Sequence, residues 1–321
     1  MKELVFTSEL APLLYEYADN RIREGYSIRR YVYTLLEFDR LVKDRFNAPS
    51  VSKELIETWD SLKPYLSNRT KITRHNIIRL FAEFAFNRDG VSYVPDTCKL
   101  KYTSTFMAHI FTEEEMRLLI NAADRLPFVK VSPTRHLVIP AVFRMLYCCG
   151  LRIGEALSLR VTDVDLENGI INIHNGKNGK DRFVPMHSSL IGYLKVYSAK
   201  LSQDREWFFP SVKGHYSIGT VYSNFRELLF ECGIPHTGKG PRVHDFRHTF
   251  AVRTLEKQLA EGYDPMVIMP RLAAYLGHKS YRETCWYIHL TVSAFPELAS
   301  KLDNAFSGII PVGGGAFLEK D

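Results

Sequence analysis

The feature that most limits the fold is a single change of period. Apolar residues recur three and four apart, at helical spacing, through most of the 321-residue chain. The period shortens once. Gly169-Ile170-Ile171-Asn172-Ile173-His174 reads as a strand, Asn175-Gly176-Lys177-Asn178-Gly179-Lys180 as a turn, and Asp181-Arg182-Phe183-Val184-Pro185 as the returning strand. Asn-Gly steps between two such runs signal a β-hairpin. The expected fold is mainly α with a small β-sheet.

Residues 1–92 read as all-helical. Thr7–Glu24, Ser27–Phe46 and Ser52–Leu66 carry helical spacing, and Ser67–Arg88 is the clearest, with Ile77, Phe81, Phe84 and Ala85 in an apolar stripe and Gly90 placed to end it. Lys71, His75 and Arg79, four apart, form a basic stripe, with Arg74 beside it. A solvated face is one reading of this stripe, and phosphate contact along a DNA groove is the other. Between 93 and 110 the pattern lapses into an extended basic linker containing Pro95, Lys99 and Lys101. Thr112-Glu113-Glu114-Glu115 then opens a helix with a capping-box pattern. A second domain is expected over 111–307. The remainder, 308–321, holds Gly313-Gly314-Gly315 and reads as a flexible tail.

A net charge of +6 permits a polyanionic partner without requiring one. The five cysteines, Cys98, Cys148, Cys149, Cys232 and Cys285, are odd in number and form no C-x-x-C pair. That argues against a disulfide framework or a zinc knuckle and for a reducing compartment. The opening Met1-Lys2-Glu3-Leu4 does not begin a signal peptide, and no apolar run is long enough to span a bilayer. The expected location is cytoplasmic, with no membrane partner.

Four separated pieces carry chemistry. Val243-His244-Asp245-Phe246-Arg247-His248-Thr249-Phe250 opens a helix after the basic loop Gly238-Lys239-Gly240-Pro241. On that helix His244, Arg247 and His248 face one way, and Phe246 and Phe250 face a core. Arg152 follows Gly150, with Glu155 one turn on, able to pair with it or support it. Lys177 lies in the hairpin turn. Leu276-Gly277-His278 precedes Thr284-Cys285-Trp286-Tyr287-Ile288-His289. Each piece also has a plain reading: Arg152 a salt-bridge residue, Lys177 and Lys180 inert turn lysines, His278 a helix cap, Tyr287 a core aromatic. Tyr281 is a rival nucleophile. Breaking a phosphodiester needs a nucleophile, neutralisation of the phosphoryl oxygens and a proton for the leaving oxygen. Tyr, Arg, Lys and His side chains supply all three. No convergent carboxylate cluster suggests a metal-dependent nuclease.

In their order and local patterns these pieces resemble the tyrosine recombinase, or phage integrase, family, in its two-domain Xer-like form. The resemblance implies a helical N-terminal core-binding domain of SAM-like type and an α+β catalytic domain. It implies site-specific recombination of double-stranded DNA through a 3′-phosphotyrosyl intermediate, in a phage or mobile element, by a tetramer assembled on DNA. No metal ion, other cofactor or ATP is implied. Tyr287 is then the nucleophile, because the family's tyrosine lies beyond the Leu-Gly-His motif with a His two residues after it. Arg152 and Arg247 clamp the phosphate, Lys177 protonates the leaving 5′ oxygen, His244 assists proton transfer and His278 orients the phosphate. The segment Ala294–Phe306 corresponds to a terminal helix that docks on the neighbouring protomer. Two alternatives stay open: a type IB topoisomerase, and a binder of the same fold that no longer cuts. Gln258–Met269 is slightly long for the family, and no small arm-type DNA-binding module is expected ahead of the helical domain.

Overall fold

The computed structural model describes residues 5–26, 28–103, 107–174, 181–236, 240–278, 283–285 and 287. Lys177, Lys180, Tyr281, His289 and the expected terminal helix Ala294–Phe306 lie outside the described residues. The chain divides into two compact units after Thr103.

The first unit is helical: α1 (Ala11–Arg23), α2 (Arg29–Leu41), α3 (Lys53–Ser61) and α4 (Asn68–Asp89). Ser52 and Ser67 cap α3 and α4 by accepting from the backbone N–H groups of Leu55 and Thr70. Gly90 ends α4 at φ 68°, where a side chain would be strained. The 22-residue α4 packs against α1 and α2. Leu14, Tyr17, Leu35, Phe38, Trp59, Ile78 and Phe81 make the core between them. Phe38 meets Trp59 and Phe81 edge-to-face, an arrangement aromatic quadrupoles favour.

The second unit contains α5 (Glu113–Asp124), α6 (Arg135–Cys149), α7 (Ile153–Leu157), β1 (Val164–Asp165), β2 (Ile170–Ile173), β3 (Arg182–Pro185), α8 (Ser188–Ala199), β4 (Pro210–Ser211), β5 (Gly214–His215), α9 (Ile218–Glu231), α10 (Asp245–Ala260) and α11 (Pro265–Leu276). The capping box at Thr112 and Glu115 is present. The hairpin strands are β2 and β3, antiparallel, with Ile171 opposite Val184 and Ile173 opposite Arg182. β1 adds a third strand to this sheet, and β4 and β5 form a second hairpin near Pro210. α6 is the central helix and packs against α5, α8 and α10; Val138, Ile139, Val142, Phe143 and Met145 are fully buried along it.

The start of α10 is fixed by one aromatic side chain. Phe246 lies 5.4 Å from Phe111, 5.2 Å from Phe143 and 5.5 Å from Phe225, ring centre to ring centre. Burying such a ring contributes about 1.5–3 kcal/mol. It also sets the direction of the neighbouring residue, Arg247. Among the described residues no helix is long and apolar enough to cross a membrane.

Candidate active site

Two helices end at the site, and both endings require glycine. α6 closes on Gly150 at φ 59°, and a Cβ there would meet Phe250 Cδ1 at 2.4 Å. α11 closes on Gly277 at φ 67°, where a Cβ would meet Arg182 Nη1 at 3.2 Å. Helix C-termini present unpaired carbonyls and the negative end of the macrodipole. Guanidinium groups take up these carbonyls. Arg247 Nη1 donates to Gly150 O at 2.8 Å and Nη2 donates to Leu276 O at 2.6 Å. Arg152 Nη1 reaches the same Leu276 carbonyl at 3.4 Å. Arg182 Nε donates to Tyr275 O at 2.9 Å.

Arg152 stands at the N-cap of α7, just past the Gly150 turn. Its backbone N–H donates to Glu155 Oε2 at 3.1 Å and its Nη1 to Glu155 Oε1 at 3.0 Å. Arg152 Nη2 is buried and has no hydrogen-bond acceptor among the described residues. Glu155 is also gripped by Arg182, Nη1 to Oε1 at 3.0 Å and Nη2 to Oε2 at 2.7 Å. Burial alone would raise the Glu155 carboxyl. The Arg182 and Arg152 charges outweigh it and hold the pKa at about 2.

Arg247 is 1% exposed. Its Nη2 also donates to His278 Nε2 at 3.1 Å, and His278 Nδ1 lies 2.7 Å from Thr284 Oγ1. The Tyr287 ring lies nearly parallel to His278, 6.2 Å away, and 5.6 Å from His248. His248 in turn meets His244 at 4.7 Å. Tyr287 is only 1% exposed, packed with Cys285, Val252 and Leu276. The plain and functional readings of this tyrosine therefore coincide in one place: a core aromatic whose ring neighbours two histidines.

The structure thus gathers Arg152, Glu155, His244, Arg247, His278 and Tyr287. The neighbours missed from the sequence are Arg182, Asp245 and Thr284. Arg182 had a signal: in a strand it shares a face with Val184, which is fully buried, and a charge on an inward face needs a partner. Asp245 is 1% exposed, and burial raises its carboxyl above the usual range although its Oδ2 accepts from the Arg242 N–H at 2.7 Å. Thr249 donates to Asp245 O and accepts from the Phe111 N–H, tying the start of α10 to the segment before α5. Among the described residues no group of three or more His, Cys, Asp or Glu side chains could hold a metal ion.

The basic residues of the first unit are not one stripe. His75 is buried, with Nδ1 2.9 Å from Asp60 and Nε2 2.8 Å from Asp96 O. It packs inward and offers no face to a groove. Arg74 donates to Glu37 at 2.7 Å and lies over Trp59, Cζ 4.0 Å from the ring centre. Arg79 pairs with Glu83 one turn on. Lys71 and Lys99 line a cavity of about 540 Å³ together with Trp59 and Asp60, and Lys99 and Lys101 are exposed.

Residues 109–293 match the model of a family described as the phage integrase family. A protein of Sinorhizobium fredii, y4rE, is 29% identical over 316 residues, covering 94% of this chain and 97% of its own length. The tyrosine recombinase XerA of Pyrococcus furiosus is 25% identical over 318 residues, covering 96% of this chain and all of its own. Among solved structures, the Tn1549 transposon integrase in complex with transposon right-end DNA aligns with a TM-score of 0.61 at 17% identity, over 90% of this chain and 99% of that one. At that identity the likeness is one of fold.

Proposed function

This chain belongs to the phage integrase family, and from that premise we propose that it is a site-specific DNA recombinase acting through a 3′-phosphotyrosyl intermediate. The observation that carries the reading is the meeting of Arg152 and Arg247 on the Leu276 carbonyl, with Arg247 bonded to His278 and the Tyr287 ring beside that histidine.

Tyr287 Oη attacks the scissile phosphorus, a bond forms to the 3′ phosphate, and the 5′ oxygen leaves. A phenol with an ordinary pKa near ~10 is a weak nucleophile and needs help. His244 takes its proton in this reading; its ring meets that of His248, which neighbours Tyr287. The non-bridging oxygens carry growing charge, which permanently charged, forked guanidiniums stabilise. Arg152 Nη2 is a buried donor without an acceptor among the described residues, and a phosphoryl oxygen satisfies it once the side chain turns toward it. Lys177 supplies the proton to the 5′ oxygen. The phosphotyrosyl bond conserves the energy of the phosphodiester, so a second 5′ hydroxyl reverses the step without ATP.

Lys71, Lys99 and Lys101 contact the DNA backbone in this reading, and Arg74, His75 and Arg79 hold the helical unit that presents them. The substrate is a specific double-stranded site, engaged by a tetramer, and the protein works in the cytoplasm. The Tn1549 integrase, a relative in fold, is itself seen with transposon-end DNA.

A strand-exchange assay tests this. Two duplexes of different length carry the same site, enriched from a random pool by repeated binding to the protein. Exchange of flanks in chelator without ATP supports the recombinase. On a supercoiled plasmid carrying the site, relaxation without exchange replaces it with a type IB topoisomerase, and tight binding with neither activity replaces it with a non-cutting binder.

A further inference from the structure

Glu155 is the most heavily bonded acid of the site. Its side chain is 8% exposed, and each carboxylate oxygen accepts from two donors. Oε1 takes Arg182 Nη1 and Arg152 Nη1. Oε2 takes Arg182 Nη2 and the Arg152 backbone N–H. A carboxylate offers about four lone-pair positions, so this one is full.

The Arg182 pairing is a two-point fork, the strongest form of this contact. Its origin is local. Arg182 opens β3 opposite Ile173, on the face shared with the buried Val184, and so points at the end of α11. Gly277 leaves the room for it, since a Cβ there would stand 3.2 Å from Arg182 Nη1.

Removing Arg182 would leave a buried carboxylate with two open acceptor positions, and Arg152 as the one cation still bonded to it among the described residues. A buried unpaired charge is strongly unfavourable. Glu155 would then draw the Arg152 fork onto both of its oxygens and take its free nitrogen. Arg152 would become a structural ion pair, neutralised and turned away from phosphate. With Arg182 in place, the cluster holds three guanidiniums against one carboxylate and stays cationic.

We infer that Arg182 is a positioning residue for the phosphate clamp: by saturating Glu155 it keeps Arg152 available to the scissile phosphate. This rests on the recombinase reading above. Arg182 touches no reacting atom. Its effect passes through Glu155, which gives it a signature that simple support of the fold lacks: loss of Arg182 should be suppressed by loss of the Glu155 charge.

The test uses the full chain and a duplex enriched from a random pool by binding, nicked just beyond the scissile phosphate so that the covalent complex accumulates. At saturating DNA, Arg182→Gln should form adduct about 100-fold more slowly, with binding affinity within roughly three-fold of the unaltered protein. Adding Glu155→Gln to that variant should restore roughly ten-fold of the rate. Should Arg182→Gln fail to fold, Arg182→Lys with and without Glu155→Gln puts the same comparison, because the ammonium keeps the charge but not the fork. A double variant as slow as the single one, or an Arg182 variant within about two-fold of the unaltered rate, overturns the positioning role. Failure of the unaltered protein to form any adduct overturns the recombinase reading itself, and this one with it.

Discussion

Arg247 Nη2 donates to His278 Nε2 across 3.1 Å. A guanidinium only donates, so His278 Nε2 accepts and the ring proton sits on Nδ1, which donates to Thr284 Oγ1 at 2.7 Å. The two residues named by the helix-opening and Leu-Gly-His motifs are thereby one unit: Arg247 sets the tautomer of the histidine, and Thr284 accepts its other ring proton and holds the ring's orientation.

Thr284→Val removes that acceptor while keeping the shape. Adduct formation should slow roughly ten-fold with DNA binding unchanged, and Thr284→Ser should stay near the unaltered rate. Equal rates for the Val and unaltered proteins would show that Thr284 does not orient His278.

Gly150→Ala should destabilise the second unit by about 2 kcal/mol or more, since the new methyl group meets the Phe250 ring at 2.4 Å on a backbone at φ 59°. Urea unfolding reads this directly. Because Gly150 O holds Arg247, adduct formation should fall with it. A stability change within about 0.5 kcal/mol would contradict the account of this turn.

Much of this architecture was legible. Gly90 marked the end of α4 because only glycine sits comfortably at the positive φ that ending uses. The hairpin showed as a change of period, and Thr112 with Glu115 as a capping box. His75 was misread although the signal was present: His75, Ile78, Ala82 and Ala85 share one helical face, and all are buried. Its acceptors, Asp60 and the Asp96 carbonyl, lie 15 and 21 residues away, and no local pattern reveals them. Arg182 was passed over for the same reason, since its partners Glu155 and Tyr275 lie 27 and 93 residues distant. Burial of Tyr287 depends on the packing of α10 and α11, which spacing alone does not give.

His75 gives the helical unit a pH dependence. The Asp60 carboxylate raises its pKa above the ordinary value, against the opposing effect of burial. A raised folded-state pKa stabilises fully below the unfolded value of about 6.5, and that contribution is lost as pH rises through the folded value. An NMR titration of the His75 ring should give a pKa above about 6.5, and His75→Gln should remove this part of the pH slope of stability. A ring titrating below that value would contradict the Asp60 pairing.

Arg74 and the linker lysines should separate cleanly. Arg74→Ala loses its place over Trp59 and its bond to Glu37, and should destabilise the protein by about 1 kcal/mol without changing the salt slope of DNA binding. Lys99→Ala and Lys101→Ala should each lower that log–log slope by about 0.9 and leave stability unchanged. An Arg74→Ala slope reduced as much as the lysine variants would return Arg74 to the DNA contacts.

The central claim is that Tyr287 is the nucleophile, and mapping the covalent bond tests it most directly. The protein is incubated in chelator, without ATP, with a nicked duplex bearing a site it has itself selected, then digested and its DNA-linked peptide sequenced by mass spectrometry. The account predicts a single linkage at Tyr287, and a Tyr287→Phe protein that binds the duplex with near-normal affinity and forms no adduct. A linkage at Tyr281 or Cys285, or an undiminished adduct with Tyr287→Phe, would contradict it.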